Sequence, residues 1–437
     1  MSGAGAAARR RAARALAEVL DRGRSLTETL AGLDREFADG RDRALVRRLC
    51  NRVLRDRPAL EWRLSQLLDK PLPKRAREIH HLLLSALDQL IEGREPAHAV
   101  VHASVAATRA SRQPRLAGLV NAVLRNYQRR GDALEKRLPD DPALRLGYPE
   151  WLLARIRRDW PDRWQSIAGA GNAAPPTWLR ANRRRTSPAE LRDRLRAEGL
   201  PADLDTHAPD AVRMARAVRV GDLPGFAEGA FSIQDAGAQL AAGLLDLHDG
   251  QRVLDACAAP GGKAAHALER ADIALAAVDA DPDRARRVES TLQRLGLQAR
   301  VIVGDARRPD VWAGDATWDR ILIDAPCTGT GVLRRHPDIR WLRRAADVDA
   351  NSATQRALLA ALWPRLRPGG LLVYATCSIL HAENRDVIED FAARHDDARV
   401  AEPELPDAVA VGPGCQILPG SLDRDGFYYA VLHRLQQ

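Results

Sequence analysis

Two cysteines in the second half of the chain stand where thiol chemistry is possible: Cys327 in Ile-Asp324-Ala-Pro326-Cys327-Thr-Gly, and Cys377 in Tyr-Ala-Thr376-Cys377-Ser378. Each follows a short apolar run, Arg320–Asp324 and Leu371–Thr376, that reads as a β-strand. Both thiols are therefore expected at the carboxyl ends of strands. A thiol is partly ionised near neutral pH and intrinsically nucleophilic, so a pair on one sheet edge suits covalent attack followed by assisted release. The remaining cysteines are 50, 257 and 415, and no two of the five form a CxxC pair. That spacing speaks against structural zinc and thioredoxin-like exchange, and no metal site is expected. Cys50 and Cys415 have no motif around them and read as structural.

A loop that could hold a cofactor precedes the two thiols. Asp255-Ala-Cys257-Ala258-Ala259-Pro260-Gly261-Gly262-Lys263 follows a predicted strand, Gln251–Ala256, and opens a helix. Its glycines allow close approach of backbone to a ligand. It is neither the G-x-G-x-x-G of dinucleotide enzymes nor a P-loop. The next strand ends at Asp279, where a carboxylate can accept ribose hydroxyls, and the third at Gly304-Asp305, where one can meet an adenine amine. Strand-end acids at 255, 279 and 305 suit a ligand with a ribose, an adenine and a sulfonium cation, which is S-adenosylmethionine, and suit a pyrophosphate poorly. A methyl donor beside two thiols answers a specific chemical need. Carbon 5 of cytosine is too weak a nucleophile to take a methyl group directly. Addition of a thiolate to carbon 6 places electron density on carbon 5, and a second group then assists release.

The elements that must carry these residues fall into three segments of the 437-residue chain, whose 45% apolar content is sufficient for real cores. Residues 1–145 read as helical. Apolar residues recur at helical spacing in Arg41–Arg57, and Ile79–Ile91, Ala97–Ala110 and Leu116–Gln128 are further helices, so an all-α bundle is expected. Gly131–Tyr148, with Pro139 and Pro142, reads as the boundary. Residues 146–236 read as a small α+β module, with one helix over Pro149–Ile167, strands at Thr177–Asn182 and Ala211–Ala215, and a capping box at Ser187–Glu190. Residues 237–437 alternate strands with helices such as Pro282–Leu295 and Ser352–Leu366, the pattern of a doubly wound, mostly parallel Rossmann-like sheet. Ligands of such sheets bind beyond the carboxyl ends of the strands.

Charge is unevenly spread. Residues 1–150 hold 29 Lys and Arg against 19 Asp and Glu, whereas residues 236–437 hold 24 against 28. A basic first half is expected of a protein that grips a polyanion there, and Arg109, Arg112, Arg115, Arg125, Arg129 and Arg130 form the candidate phosphate-binding face. No run of about 18 uninterrupted apolar residues is present, so no membrane association is expected. The N-terminal stretch has no apolar signal core, and a cytoplasmic protein is the expectation.

The loop at 255–263, Asp-Ala-Pro-Cys at 324–327 and Thr-Cys-Ser at 376–378 resemble the RNA cytosine-C5 methyltransferases (the NOL/NOP2/sun-like family). The resemblance implies that Cys377 attacks carbon 6 and Cys327 assists elimination. It also implies that Cys257, Ala258, Ala259, Pro260, Gly261, Gly262, Lys263, Asp279, Asp305 and Asp324 hold S-adenosylmethionine, with Asp324 also reaching the cytosine amino edge. Matches continue at Phe231–Asp235, Gly331–Trp341, Ala382-Glu-Asn384 and Asp425-Gly-Phe427, while Ala264 departs from the hydroxyl residue common in relatives. Pro96–Val101 and Gly118–Arg125 are similar to the helical RNA-binding domain of the antitermination factor NusB. Joined to this catalytic domain, it is the layout of the bacterial 16S rRNA (cytosine(967)-C(5))-methyltransferase family. That implies 16S rRNA, unassembled or partly assembled, as substrate of a monomer. Two other readings stay open from the residues themselves: a tRNA cytosine-C5 methyltransferase, and a non-catalytic RNA-binding or antitermination protein.

Overall fold

A computed structural model describes residues 3–215, 221 and 223–436, so part of the expected module 146–236 (216–220 and 222) lies outside the described residues. The chain divides into two compact units: Met1–Asn172 together with His336–Arg344, and Ala173–Arg335 together with Ala345–Gln437. No helix among the described residues is long and apolar enough to cross a membrane.

The first unit is helical. Its long helices are Gly3–Arg22, Gly40–Ser65, Arg77–Glu92, Ala97–Arg109 and Ala117–Lys136. Their apolar stripes meet in one core that includes Leu16, Leu49, Val53, Leu83, Leu87, Val120 and Leu124. The helix expected over Arg41–Arg57 runs on through Pro58 to Ser65. A proline offers no N–H to the carbonyl four residues back. Here that carbonyl, Leu54 O, accepts from the Trp341 indole N–H at 2.7 Å instead. The last long helix likewise passes Gly131, because Leu134 is buried and Glu135 receives Arg63 through Nε at 2.7 Å and Nη2 at 2.6 Å. The single helix expected over Pro149–Ile167 is two, Glu150–Asp159 and Trp164–Ala170, broken at Pro161.

The segment 336–344 belongs to this unit although it lies far along the sequence. Asp338 Oδ2 accepts from the Leu26 N–H at 2.8 Å. The buried Arg340 donates to the carbonyls of Gly147 at 3.0 Å and Gly171 at 2.8 Å and to Asn172 Oδ1 at 2.7 Å, with its guanidinium 4.0 Å from the Tyr148 ring centroid. Gly147 has a positive φ of 70°, and a Cβ there would collide with the Arg55 carbonyl.

The second unit holds two sheets. Strands β1 (Thr177–Ala181), β2 (Ala202–Leu204), β3 (Ala211–Met214) and β4 (Phe231–Ile233) form an antiparallel sheet in the order β2-β3-β1-β4. The helix Pro188–Ala197 packs on it through Leu191 and Leu195, opened by the expected Ser187–Glu190 capping box. The larger sheet contains β5 (Arg252–Ala256), β6 (Ala274–Asp279), β7 (Arg300–Val303), β8 (Trp318–Asp324) and β9 (Leu366–Thr376), paired in parallel in the order β9-β8-β5-β6-β7. Crossover helices connect them, among them Gly262–Arg270 and Pro282–Leu295. Beyond β9 the sheet continues antiparallel with β13 (Phe427–Arg434), β12 (Gly414–Ile417) and β11 (Ala408–Val411), and β10 (Ala398–Ala401) also pairs with β13. The sequence pattern did not separate these last four strands.

Buried charges join the small sheet to the helix Gly262–Arg270. The Arg180 guanidinium, fully buried on β1, forks onto Glu269 at 2.8 and 2.7 Å and donates to the Gly262 carbonyl at 2.6 Å. Asp210 Oδ2 accepts from His266 Nε2 at 2.9 Å and from Arg270 at 3.1 Å, while Arg183 pairs with its other oxygen. Burial pushes His266 down to about 4, with Arg180 and Arg270 adding to the effect and Asp210 opposing it. Unfolded histidine binds its proton near 6.5, so between 6.5 and about 4 the unfolded state holds the extra proton. Stability from this group is complete above that window and falls as pH drops through it, by on the order of 3 kcal/mol. Urea unfolding of wild type and His266→Gln from neutral to acid pH checks this: the variant should have a shallower acid slope, and an unchanged slope would refute the assignment.

Candidate active site

Parallel pairing places the ends of the central strands on one edge. Asp324 lies opposite Ala375, Ala256 opposite Val278 and Ile323, and Asp279 opposite Val303. The loops after β5, β8 and β9 therefore leave the sheet side by side. Cys327 and Cys377 meet there, with their sulfurs 3.4 Å apart. The neighbouring Cys377 thiol and burial push Cys327 well above the ordinary thiol range, and Glu383 acts in the same sense. Cys327 is thus a proton-bearing thiol at neutral pH.

Lys263 brings positive charge to this edge. Its ammonium lies 2.6 Å from Asp324 Oδ2 and 5.6 Å from the Phe427 ring centroid, Phe427 being the first residue of β13. Burial opposes the charge, but Asp324 and then Cys377 hold the ammonium above the ordinary lysine value. Lys263 is therefore a fixed cation, paired with Asp324 at the strand-end edge.

The loop 257–263 is held by its surroundings. The Asp279 carboxylate accepts from the N–H of Ala259 at 3.2 Å and of Asp281 at 3.2 Å, and pairs with Arg284 at 3.2 Å. Thr291 Oγ1 donates to the Pro260 carbonyl at 2.8 Å. Gly261 sits at φ 96°, where a Cβ would lie 3.1 Å from the Val288 Cα, so this turn requires glycine. Cys257 also has a positive φ, 62°, and burial pushes its thiol to about 12, with Asp324, Asp279 and Asp255 contributing. It is no nucleophile at neutral pH. Asp255 is buried, and burial, then Asp324, pushes it up to about 8 against the opposing effects of Lys263 and the Ala264 N–H.

Asp305 follows β7 at the far side of this row. Its carboxylate is forked by Arg307, at 3.0 Å from Nε and 2.8 Å from Nη2, and caps the Arg307 N–H at 2.9 Å. A ligand amine reaching Asp305 shares it with Arg307. The residues present fit a cationic adenosyl ligand. Four carboxyl groups line the strand ends, a glycine turn leaves open backbone, and the buried Asp255 has unused hydrogen-bonding capacity.

Several residues without an assigned role support the thiols. The Gly331 N–H donates to the Cys377 carbonyl at 2.8 Å, and the Gly426 N–H to the Gly331 carbonyl at 2.9 Å. Arg334 and Arg335 both pair with Asp425, and Arg335 also reaches Asp235 at 2.7 Å. Glu383, from Ala382-Glu-Asn384, lies between the two cysteine loops. These side chains fall in the matched segments 231–235, 331–341, 382–384 and 425–427, but a linear pattern carries no sign of which distant acid meets which arginine.

Nearly the whole chain is similar to known proteins. Residues 242–433 match the family described as 16S rRNA methyltransferase RsmB/F, residues 148–221 the RsmF/B-like ferredoxin-like domain, and residues 6–129 the NusB family. Ribosomal RNA small subunit methyltransferase B of Yersinia enterocolitica serotype O:8 is 46% identical over 422 residues, covering 96% of this chain and 97% of that protein. Among solved structures, the protein PH0851 superposes with a TM-score of 0.83 over 99% of each chain at 21% identity, a likeness of fold. A methyltransferase homologue from Pyrococcus horikoshii gives 0.60 at 28% identity, covering 67% of this chain and 97% of its own. Sharing nearly half its residues with such a relative from end to end, the chain belongs to the 16S rRNA methyltransferase RsmB/F family.

Proposed function

We propose that this protein methylates carbon 5 of a cytosine in 16S rRNA, through a covalent bond between Cys377 and carbon 6 of the base. The observation that carries this reading is the pair of thiols 3.4 Å apart beside the loop 257–263. Residues Cys257 to Lys263, Asp279, Asp305 and Asp324 would hold S-adenosylmethionine, which supplies an electrophilic methyl group when bound.

The chain's own residues do the rest. Cys377 attacks as the thiolate; its sulfur bonds to carbon 6 and carbon 5 becomes nucleophilic. Asp324, positioned by Lys263 at 2.6 Å, faces the cytosine amino edge. After carbon 5 is methylated, its proton passes to solvent water, the electron pair of that bond restores the carbon 5–carbon 6 double bond, and the bond from Cys377 to carbon 6 breaks with its pair going to sulfur. Cys327, which bears its proton at neutral pH and lies 3.4 Å from the Cys377 sulfur, assists by donating that proton to the departing sulfur, and recovers one from solvent. The base must leave any stack or pair to expose carbon 6, at a cost of roughly a few kcal/mol, so unassembled or partly assembled RNA is the favoured substrate.

The segment 1–145 serves as the RNA-binding domain, 146–236 as the module between, and 237–437 as the catalytic domain of a cytoplasmic monomer. Supporting this is the basic face of the first segment, where Arg109, Arg112, Arg115, Arg125, Arg129 and Arg130 are all exposed. Phosphate contacts by such residues make binding strongly salt-dependent.

Transfer of labelled methyl groups tests the function directly: protein-free 16S rRNA should be labelled at one cytosine, and preferential labelling of tRNA would overturn the substrate. Cys377→Ala should abolish transfer and leave cofactor affinity nearly unchanged; residual turnover would remove the nucleophile. Cys327→Ala should accumulate a covalent protein–RNA adduct, visible as a shifted band on a denaturing gel. A Cβ at Gly331 would collide with the Gly426 carbonyl and lie 2.8 Å from the Cys377 carbonyl oxygen, so Gly331→Ala displaces the nucleophile's loop. Its kcat should fall roughly a hundredfold, with cofactor affinity within about twofold of wild type, as read by calorimetry.

A further inference from the structure

A single buried carboxylate fastens both thiol loops. Glu383 Oε1 accepts from the Thr328 N–H at 2.7 Å and from Asn351 Nδ2 at 3.2 Å. Its Oε2 accepts from the Thr328 hydroxyl at 2.5 Å and the Ser378 hydroxyl at 2.5 Å. Thr328 follows Cys327, and Ser378 follows Cys377. The Glu383 carbonyl in turn accepts from the Tyr374 hydroxyl at 2.7 Å, and the next residue, Asn384, donates to the Ser378 carbonyl at 2.9 Å. The clamp thus holds its own loop against the end of β9.

A carboxylate in such a place is expensive unless its lone pairs are filled. Burial raises the Glu383 pKa, while Ser378, Thr328 and Asn351 oppose the rise. All four donors are neutral groups, so they hold the carboxylate without cancelling its charge. That charge lies against the Thr328 N–H, one residue from Cys327, and disfavours a thiolate at Cys327. The Lys263 ammonium is felt by Cys377.

We propose that Glu383 is the positioning residue of the thiol pair: its carboxylate fixes the residue after each cysteine, and its charge, held against the Thr328 N–H, keeps Cys327 from acting as a second nucleophile. The proposal rests on the two-thiol reading of the site and adds what divides the work between the thiols.

The test uses the full chain as wild type, Glu383→Gln, Glu383→Ala and Ser378→Ala. Iodoacetamide alkylation of Cys327 and Cys377 is followed by peptide mass spectrometry without RNA from about pH 6 to about pH 9, where thiols of different acidity separate. Thermal unfolding and methyl transfer are measured on the same samples. In the wild type Cys377 should react at least about tenfold faster than Cys327. Gln keeps an acceptor for the Thr328 N–H but removes the charge, so Glu383→Gln should fold and Cys327 should gain reactivity, narrowing that ratio by about tenfold. Its kcat should fall about tenfold or more with the KM for S-adenosylmethionine within about twofold. Ser378→Ala removes one arm and keeps the charge, so kcat should fall while the alkylation ratio holds. If Glu383→Ala fails to fold, the Gln and Ser378 variants still decide the matter. A folded Glu383→Gln with wild-type alkylation ratio and wild-type kcat would overturn the proposal. Selective alkylation lost in Glu383→Gln, in a wild-type protein that transfers no methyl group to rRNA, would support the clamp and remove the proposed function instead.

Discussion

In parallel strands β8 and β9, Ile323 stands opposite Tyr374 and Asp324 opposite Ala375. Because the two chains run in the same direction at the same height, both leave the sheet together, and each meets its cysteine within three residues. A slip of one residue would turn every side chain of a strand to the other face. Register therefore fixes the distance between the sulfurs more firmly than any contact of the sulfurs themselves. The same arrangement brings β5 alongside β8, so the loop carrying Lys263 opens next to the Cys327 loop. The antiparallel return of β13 starts at this edge with Phe427, whose ring lies under the Lys263 ammonium.

Around this edge, buried charge does what apolar packing does elsewhere. Arg180 with Glu269, and Arg334 with Asp425, are almost wholly withdrawn from water. Such pairs add little net stability over well-packed apolar residues, yet removal of one partner leaves an uncompensated ion and costs about 3–5 kcal/mol. Their value here is directional. The Arg180 guanidinium fits the Glu269 carboxylate, the Gly262 carbonyl and the Gln234 side-chain oxygen, and so sets the start of the helix Gly262–Arg270 relative to β1. An apolar contact could slide; this one cannot without stranding a charge.

The strands that carry chemistry were legible because each is a short apolar run that stops at a residue of special type, and β5, β6 and β8 end at Ala256, Asp279 and Asp324 as the pattern requires. The helices Pro282–Leu295 and Pro188–Ala197 were legible from their caps. Failures arose where a distant residue changes a local rule. Pro58 reads as a helix end until Trp341 supplies the missing donor to Leu54 O. Gly3–Arg22, full of alanine and arginine, shows its core face only when Leu16 and Val19 pack against other helices. Of the antiparallel strands, β13 carries no alternation because Phe427 to Leu432 are buried in succession, so both its faces are covered. Within the site, the cysteines and acids stood out by type and spacing. Glu383 did not, since nothing in Ala-Glu-Asn says that the donors lie 5 and 55 residues away.

The helical unit is interrupted in sequence, and this governs how it is made. Its helices through Asn172 emerge from the ribosome first, but Asp338, Arg340 and Trp341 arrive only after more than a third of the chain has been added. At the usual pace of synthesis that is a wait on the order of ten to thirty seconds. During it the Leu54, Gly147 and Gly171 carbonyls and the face of Tyr148 lack the partners they have in the finished protein. The N-terminal half is therefore completed by its C-terminal half, and the newborn chain holds an unfinished bundle until residue 344 has left the tunnel.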